Sequence, residues 1–191
     1  PSFTDRTKNA PDDLADLAEV TVMSIAQGTA PGVVEWVAPH GIDLAIVSAP
    51  LENNDIREAH WSKAAQAQIG DQVFAVGNPH GLGWTHSEGS ISQVRTRTRT
   101  AFKFKILQST AAINPGSSGG GLYDVEGKLI GINTLTGDKR IAEGLGFAIT
   151  FATLLDLVPD WLGIPDDNAP ELLAPPGGAE AEDKDEPGDD A

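Results

Sequence analysis

Short runs in which β-branched, aromatic and other apolar residues alternate with polar ones recur between turn residues along most of the chain. Such runs are typical of β-strands, and their spacing is typical of a barrel or a sandwich. The pattern predicts strands at residues 19–25, 32–38, 44–48, 72–77, 89–94, 102–108, 129–134 and 144–149. Because 21 glycines and 13 prolines interrupt the chain, an all-β architecture is favoured over a helical bundle.

Two local signals add a turn and a helix to this pattern. The segment 123–128 predicts a tight hairpin that joins two strands of one sheet, with Gly127 free to take a positive φ. After Thr150, a residue suited to cap a helix N-terminus, residues 151–162 place Leu154, Leu155, Val158 and Leu162 at helical spacing. Pro159 limits or kinks that helix, which we expect to pack on a barrel.

From Pro165 onward the composition shifts to proline, glycine, alanine and acidic residues, with almost no large apolar side chains. Such a segment cannot repay the entropy of ordering, so residues 166–191 are predicted to form an acidic disordered tail. The whole chain has a formal net charge of -15, and ten of its 28 acidic residues lie in this segment. A protein so charged is not expected to seek nucleic acid.

The 191 residues include no cysteine, which excludes disulfides, thiol catalysis and cysteine-based zinc sites. No apolar run reaches the roughly 18 residues of a transmembrane helix, and no basic-then-apolar signal segment opens the chain. The chain begins at Pro1, in the middle of what the strand pattern makes a domain. We therefore expect a truncated reading frame or a processed product.

The segment 110–122 carries the strongest chemical signal, because it holds Ser118 among glycines immediately before a strand. Acyl transfer requires a hydroxyl presented beside backbone N–H groups that face the developing oxyanion, with no side chains blocking the substrate carbonyl. The amides of Gly116 and Ser118 would supply those donors. A glycine-rich connection between strands, without catalytic role, is the alternative that this segment alone leaves open.

The stretch Ala-Ala-Ile-Asn-Pro-Gly-Ser-Ser-Gly-Gly at 111–120 resembles the nucleophile loop of the HtrA/Deg serine proteases, with Ser117 in place of the usual asparagine and Gly121 in place of a frequent proline. Further stretches follow the order of that family: Ile-Asp-Leu-Ala-Ile-Val at 42–47, Gly-Asn-Pro-His-Gly-Leu-Gly at 77–83, Gly-Ile-Asn-Thr at 131–134 and Gly-Leu-Gly-Phe-Ala-Ile at 144–149. The resemblance covers roughly residues 17–160, and four ordered motifs, with 131–134 and 144–149 counted as one, are hard to produce by chance.

The resemblance implies an all-β fold of two six-stranded antiparallel barrels of the chymotrypsin/trypsin kind, with a C-terminal helix and with the first barrel incomplete. Residues 1–70 would then hold the remainder of the N-terminal barrel and the linker between barrels. Residues 71–165 would form the C-terminal barrel with its terminal helix, and 166–191 the acidic tail.

The resemblance also implies the catalytic residues. It makes Ser118 the nucleophile and Gly116 an oxyanion donor, and it matches Asp43 to the triad aspartate, which accepts the Nδ1–H of the catalytic histidine and fixes its tautomer. An aspartate that caps a turn at the start of a strand is the alternative interpretation of Asp43.

The chain offers no well-placed catalytic histidine. The family order is His, Asp, Ser, and His40, three positions before Asp43 in a Pro-His-Gly turn, is poorly placed to reach Ser118 as well. His60, His80 and His86 are expected to be surface or loop residues, and no ligand spacing supports a metal site built on His80 and His86. We therefore expect the general base upstream of Pro1, the rival account being a degenerate protease without one.

The resemblance implies that the first specificity pocket is formed by residues just before the nucleophile and by the strand after Asn133. None of the matching positions is acidic, so small or branched apolar side chains fit better than Arg or Lys. A purely structural role in packing the barrel is the alternative. The matching residues are Ala112, Ile113, Thr134, Leu135, Thr136 and Gly146.

Five basic residues at odd positions predict a basic stripe on one side of a strand pair, provided that the register holds through the turn: Arg95, Arg97, Arg99, Lys103 and Lys105. A solvated face that discourages edge aggregation is the simplest interpretation, and docking of an acidic partner or of the chain's own tail is the alternative. Phe102 and Phe104 should face the opposite side, which disfavours nucleic-acid binding.

The sequence thus predicts a serine endopeptidase that hydrolyses unfolded or misfolded proteins through an acyl-enzyme, without metal or cofactor. A degenerate, inactive protease that serves as a peptide-binding scaffold is the alternative, and a structural or nucleic-acid-binding β domain ranks last. Its expected partners are unfolded protein or peptide substrates, in an extracytoplasmic compartment, periplasmic or secreted. Assembly as a homo-oligomer stays open, since family members often form trimers.

Overall fold

The computed structural model describes residues 20–24, 28–51, 57–78, 83–134 and 144–168. Within these residues run nine β-strands, one α-helix and two short 3-10 turns. The strands are β1 (Val20–Ser24), β2 (Gly28–Val37), β3 (Ala45–Ser48), β4 (Gln72–Gly77), β5 (Thr85–Arg99), β6 (Phe102–Ser109), β7 (Gly121–Asp124), β8 (Leu129–Thr134) and β9 (Gly146–Thr150), and the helix is α1 (Phe151–Leu157).

Strands β4 to β9 close into a six-stranded antiparallel barrel in the order β4-β5-β6-β9-β8-β7. Alternate side chains of each strand point inward, as the two-residue period of a strand requires, and fill the barrel with apolar groups. The buried interior consists of Val73, Ala75, Ile91, Leu107, Ala111, Leu122, Ile130 and Ala148.

Strands β1, β2 and β3 form a separate three-stranded antiparallel sheet. The turn after β2 (residues 38–44, the Asp43 turn) packs with Ala38, Ile42 and Leu44 against the outside of the barrel and against α1. The apolar cluster that these contacts form also includes Phe104 and Ile106 of β6. The prediction of a mostly-β fold with a six-stranded antiparallel barrel and a C-terminal helix is confirmed.

Local signals in the sequence correctly predicted the bounds or the geometry of several elements. Strands β4 and β8 have the predicted bounds, Gly127 takes φ 78, and the Thr150 hydroxyl caps α1 by accepting from the Thr153 amide at 3.3 Å. The helix is shorter than predicted, because it ends at Leu157 before Pro159 and only a 3-10 turn follows at Asp160–Leu162. Strand β7 was predicted only as the strand that follows the Ser118 segment and leads into the 123–128 hairpin, without bounds, since four residues are too few to show a period.

The prediction of one basic stripe is wrong, because the β5–β6 turn puts the odd-numbered positions of the two strands on opposite sides of the sheet. Arg99 pairs with Phe102 across a two-residue turn in which Thr100 and Ala101 have φ 44 and 67. Residues directly opposite one another in an antiparallel pair share a face, so the odd-numbered arginines lie on the side of Phe102 and Phe104. The two lysines, Lys103 and Lys105, lie on the other side, opposite Thr98 and Thr96.

Residues 165–168 bind the linker between sheet and barrel, in a contact that we name the C-terminal clasp (residues 58–63 with 165–168). Asn168 Oδ1 accepts from the Trp61 amide at 2.7 Å, and the Asn168 amide donates to Trp61 O at 3.2 Å. Asn168 Nδ2 donates to Glu58 Oε1 at 2.9 Å and to Ala59 O at 3.0 Å. The first three residues of the predicted tail therefore pair with the linker, while 169–191 lie outside the described residues.

An ion-pair cluster reinforces the clasp. The Lys63 ammonium lies 3.1 Å from Asp156 Oδ1 of α1 and 3.2 Å from Asp166 Oδ1, and its amide donates to Asp166 O at 2.8 Å. Hydrogen bonding to Asp156, and then to Asp166, raises the pKa of Lys63 above its ordinary value. Lys63 therefore joins the linker, the helix and the chain after it.

Candidate active site

Ser118 lies in the connection between β6 and β7 (residues 110–120, the Ser118 loop), which is folded by two tight turns. The Ser117 amide donates to Asn114 O at 2.9 Å, and the Gly120 amide donates to Ser117 O at 3.1 Å. Gly116 and Gly119 take φ 96 and 83, values that L side chains rarely adopt. Ser118 is exposed at the end of these turns, whereas the neighbouring Ser117 is only 5% exposed.

Two glycines let the Ser118 loop rest directly on β4. A Cβ on Gly120 would lie 2.0 Å from Val76 O, and a Cβ on Gly77 would lie 2.8 Å from the Ser117 side chain. Neither position tolerates a side chain without displacing the loop. The Gly-rich composition of both motifs thus serves a close approach of two backbones.

Strand β8 holds the loop from its other side. The Gly119 amide donates to Asn133 O at 2.9 Å, and the Asn133 amide donates to Gly120 O at 2.8 Å. These two bonds continue the ladder of β8 into the loop, immediately after Ser118.

Asp43 forms a hydrogen bond with Thr134, the residue of β8 that follows Asn133. Thr134 Oγ1 donates to Asp43 Oδ2 at 2.6 Å, and Thr134 is only 7% exposed. The Asp43 turn itself is closed by the Ala38 amide, which donates to Leu44 O at 2.9 Å. The structure therefore brings Asp43, at the edge of the three-stranded sheet, to β8, the strand whose backbone binds the Ser118 loop.

The histidines in the described part of the chain are engaged elsewhere. His40 takes φ 62 and stacks on Phe102, with ring centroids 5.6 Å apart and planes 11° apart. His86 lies on β5 with Nε2 3.8 Å from Glu88 Oε1, and His60 is an exposed linker residue whose carbonyl accepts from the Leu129 amide. None of these three has a hydrogen bond to Asp43 or Ser118 in the described residues, and His80 lies outside them.

The residues predicted to line a specificity pocket are partly brought together. Ser87 Oγ of β5 donates to Ala112 O at 2.9 Å, which fixes the start of the loop. A Cβ on Gly146 would lie 2.8 Å from Cγ1 and Cδ1 of Ile113, so the Ile113 side chain packs directly on the Gly146 backbone. Thr134, on β8, is also buried. Leu135 and Thr136 lie outside the described residues.

Sequence reasoning did not find the contact between Thr134 and Asp43, nor the contribution of Asn133. Thr134 was assigned to the pocket, yet its hydroxyl binds Asp43. Asn133 was noted only as part of a motif, although a polar residue at an inward position of an apolar strand is an unusual choice that calls for a partner. In the described residues no group of three or more His, Asp or Glu side chains is placed to hold a metal ion.

Comparison with known proteins defines the class. Residues 6–132 match the family described as the trypsin-like peptidase domain, which is more than half of the chain. The chain therefore belongs to the trypsin-like peptidase domain family.

Within that class, the relatives are serine proteases of the HtrA/Deg group. The chain is 37% identical over 121 residues to protease Do-like 1, chloroplastic, from Arabidopsis thaliana, with 61% of this chain and 28% of the relative covered. It is 39% identical over 112 residues to the serine endoprotease DegS of Haemophilus influenzae, covering 56% and 32%. A DegS from Escherichia coli is 47% identical over 88 residues, covering 44% and 25%.

Solved structures agree with this placement. The serine endoprotease from Yersinia pestis superposes with a TM-score of 0.60 at 30% identity, covering 78% of this chain and 48% of that protein. The HtrA-type protease AlgW, solved with a decapeptide, gives a TM-score of 0.60 at 32% identity, covering 78% and 44%. The chain thus spans between 25% and 32% of the length of these curated relatives, and under half of the two structures.

Proposed function

We propose that the protein is a serine endopeptidase in which Ser118 is the nucleophile and Asp43 orients the general base. The observation that carries the proposal is the hydrogen bond from Thr134 to Asp43. Thr134 directly follows Asn133, whose backbone holds the Ser118 loop, so the bond brings the Asp43 carboxylate close to that loop. An exposed serine next to glycine turns and an aspartate hydrogen-bonded to the adjoining strand are two of the three elements of a triad.

The reaction would proceed through an acyl-enzyme. Ser118 Oγ attacks the scissile carbonyl while its proton passes to the imidazole, and the amides of Gly116 and Ser118 stabilise the oxyanion. The protonated imidazole then gives that proton to the leaving amine as the C–N bond breaks, and water hydrolyses the ester by the same route. We propose that the base is a histidine upstream of Pro1, because the family order places it before Asp43 and His40, the one histidine in this chain that precedes Asp43, is stacked on Phe102.

We further propose that the substrates are unfolded or misfolded proteins, cleaved after small or branched apolar side chains. The packing of Ile113 against Gly146 supports this choice, since it gives this part of the pocket an apolar wall. We place the protein in an extracytoplasmic compartment, as the name of a DegP-like periplasmic relative suggests. No helix among the described residues is long and apolar enough to cross a membrane.

Labelling with a fluorophosphonate, followed by peptide mapping, tests the assignment. We expect the active protein to be labelled at Ser118 alone, and Ser118→Ala to abolish both labelling and casein hydrolysis with an unchanged melting temperature. Ser117→Ala is the matched control, because this buried neighbour should be dispensable for labelling. Peptide binding without any label at Ser118 would instead identify an inactive peptide-binding scaffold.

A further inference from the structure

Asn133 is a polar residue placed in the apolar interior of the barrel. It is 2% exposed, and its partner across the sheet is Ala148, which is 0% exposed and belongs to the apolar interior. An apolar residue at this position of β8 would complete the interior without the cost of burying an amide. The amide must therefore do something that an apolar side chain cannot.

The Asn133 side-chain amide connects β4, on which the Ser118 loop rests, with β7, into which the loop leads. Its Nδ2 donates to Val76 O on β4 and to Gly121 O at the start of β7, both at 3.3 Å. Val76 O is also the atom against which the Gly120 backbone rests. The side chain thus reaches the point where the loop crosses β4 and rejoins the barrel.

The orientation of this amide is fixed by its neighbours. Both contacts are carbonyl oxygens, which can only accept, so the NH₂ group must face them. Oδ1 is then buried without a hydrogen-bond partner among the described residues. A buried polar atom left unpaired destabilises the fold, and such a residue is retained where local function requires it.

We propose that Asn133 is a positioning residue that fixes the Ser118 loop to β4 and β7, and thereby sets the direction of the Gly116 and Ser118 amides. Its backbone holds Gly119 and Gly120 while its side chain holds Val76 and Gly121. The catalytic part of this inference rests on the proposed function, whereas the fixing of the loop does not.

Backbone hydrogen exchange on the full chain tests the fixing of the loop. In Asn133→Leu, which keeps a similar shape without donors, we expect the amides of Gly119 and Gly120 to exchange about tenfold faster, with the Leu107 amide unchanged. Gln108→Leu is the matched control, because Gln108 is also a buried amide, 8% exposed, but its side chain contacts Arg95 and Ser92 instead. Unchanged exchange in a folded Asn133→Leu overturns the proposal.

Kinetics then test the consequence for catalysis. We expect Asn133→Leu to lower kcat about tenfold with KM changed less than about twofold, and Gln108→Leu to leave both unchanged. Faster loop exchange with a normal kcat would reduce Asn133 to a structural residue and overturn the positioning role. If Asn133→Leu does not fold, Asn133→Ser is judged by the same two criteria. If the wild-type protein that includes the segment upstream of Pro1 is not labelled by the phosphonate, the proposed function is refuted, and loop exchange still decides the role of Asn133.

Discussion

The closed barrel and the three-stranded sheet hold the side chains of the proposed catalytic site by different means. Ser118 sits in a loop whose ends are both strands of the barrel, and main-chain hydrogen bonds and glycine contacts fix it. Asp43 sits in a turn of an open sheet, and its contacts with the barrel come from side chains, namely Thr134, Phe102 and the apolar cluster. The serine half of the site is thus built by one unit, whereas the aspartate half depends on docking.

The largest expected effect follows from Asp43→Asn. An asparagine keeps the shape of the turn but cannot hold the imidazole in the required tautomer or stabilise its charge, so kcat should fall by on the order of 10³–10⁴. Steady-state hydrolysis of a peptide substrate measures this, with thermal melting as the check on folding. Asp71→Asn is the control, because Asp71 caps a turn by accepting from the Gln68 amide. Equal losses in both variants would show that Asp43 only stabilises the fold.

Weakening the docking of the Asp43 turn should have an intermediate effect. Phe102→Ala removes the ring on which His40 stacks and part of the apolar cluster, so we expect the free energy of unfolding to fall by about 2 kcal/mol. Chemical denaturation measures the loss, and Phe102→Leu, which retains apolar volume, should recover much of it. If His40→Ala lowers activity as much as Asp43→Asn does, then His40 is the base and its stacked position is not the functional one.

Removing the hydroxyl that binds Asp43 should have a smaller effect on turnover. Thr134→Val keeps the shape of a buried residue and deletes the 2.6 Å hydrogen bond, so kcat/KM should fall about tenfold, or about 1.4 kcal/mol in transition-state stabilisation. Thr134→Ser retains the hydroxyl and should stay close to the wild type. Similar losses in both variants would mean that Thr134 acts through the pocket wall.

The smallest effects are expected at the C-terminal clasp. Deleting 169–191 should change the free energy of unfolding by less than about 0.5 kcal/mol, since such a composition offers few core contacts. Deleting 166–168 as well removes the bonds to Trp61 and Lys63, and should cost about 1–2 kcal/mol. This revises the prediction from sequence that the disordered tail begins at residue 166. Identical melting of the two truncated forms would contradict it.

Local signals in the sequence were enough for most of the barrel and for the Ser118 loop. Strands β4 and β8, the Thr150 cap and the positive φ of Gly127 each depend on a few neighbouring residues. The prediction of which face the basic residues share was wrong, because that face depends on the exact length of one turn, which Thr100 and Ala101 form without glycine.

Contacts between distant residues could not be predicted in the same way. Thr134 and Asp43 are 91 positions apart, and no local pattern reveals that one hydroxyl will meet that carboxylate. The role of Asn133 likewise depends on which carbonyls the barrel closure places around it. The family resemblance supplied the residues of the site, while the way they are held emerged only from the fold.

The C-terminal clasp also bears on the order in which the molecule is completed. Asn168 lies 107 positions after Trp61, so a growing chain exposes the linker long before its binding residues have been synthesised. Domains form progressively as a chain emerges, and contacts of large sequence separation form late. The linker is therefore fastened only after the barrel strands, the last of which ends at Thr150, have been synthesised, and a nascent chain that stalls before residue 165 carries the barrel without this fastening.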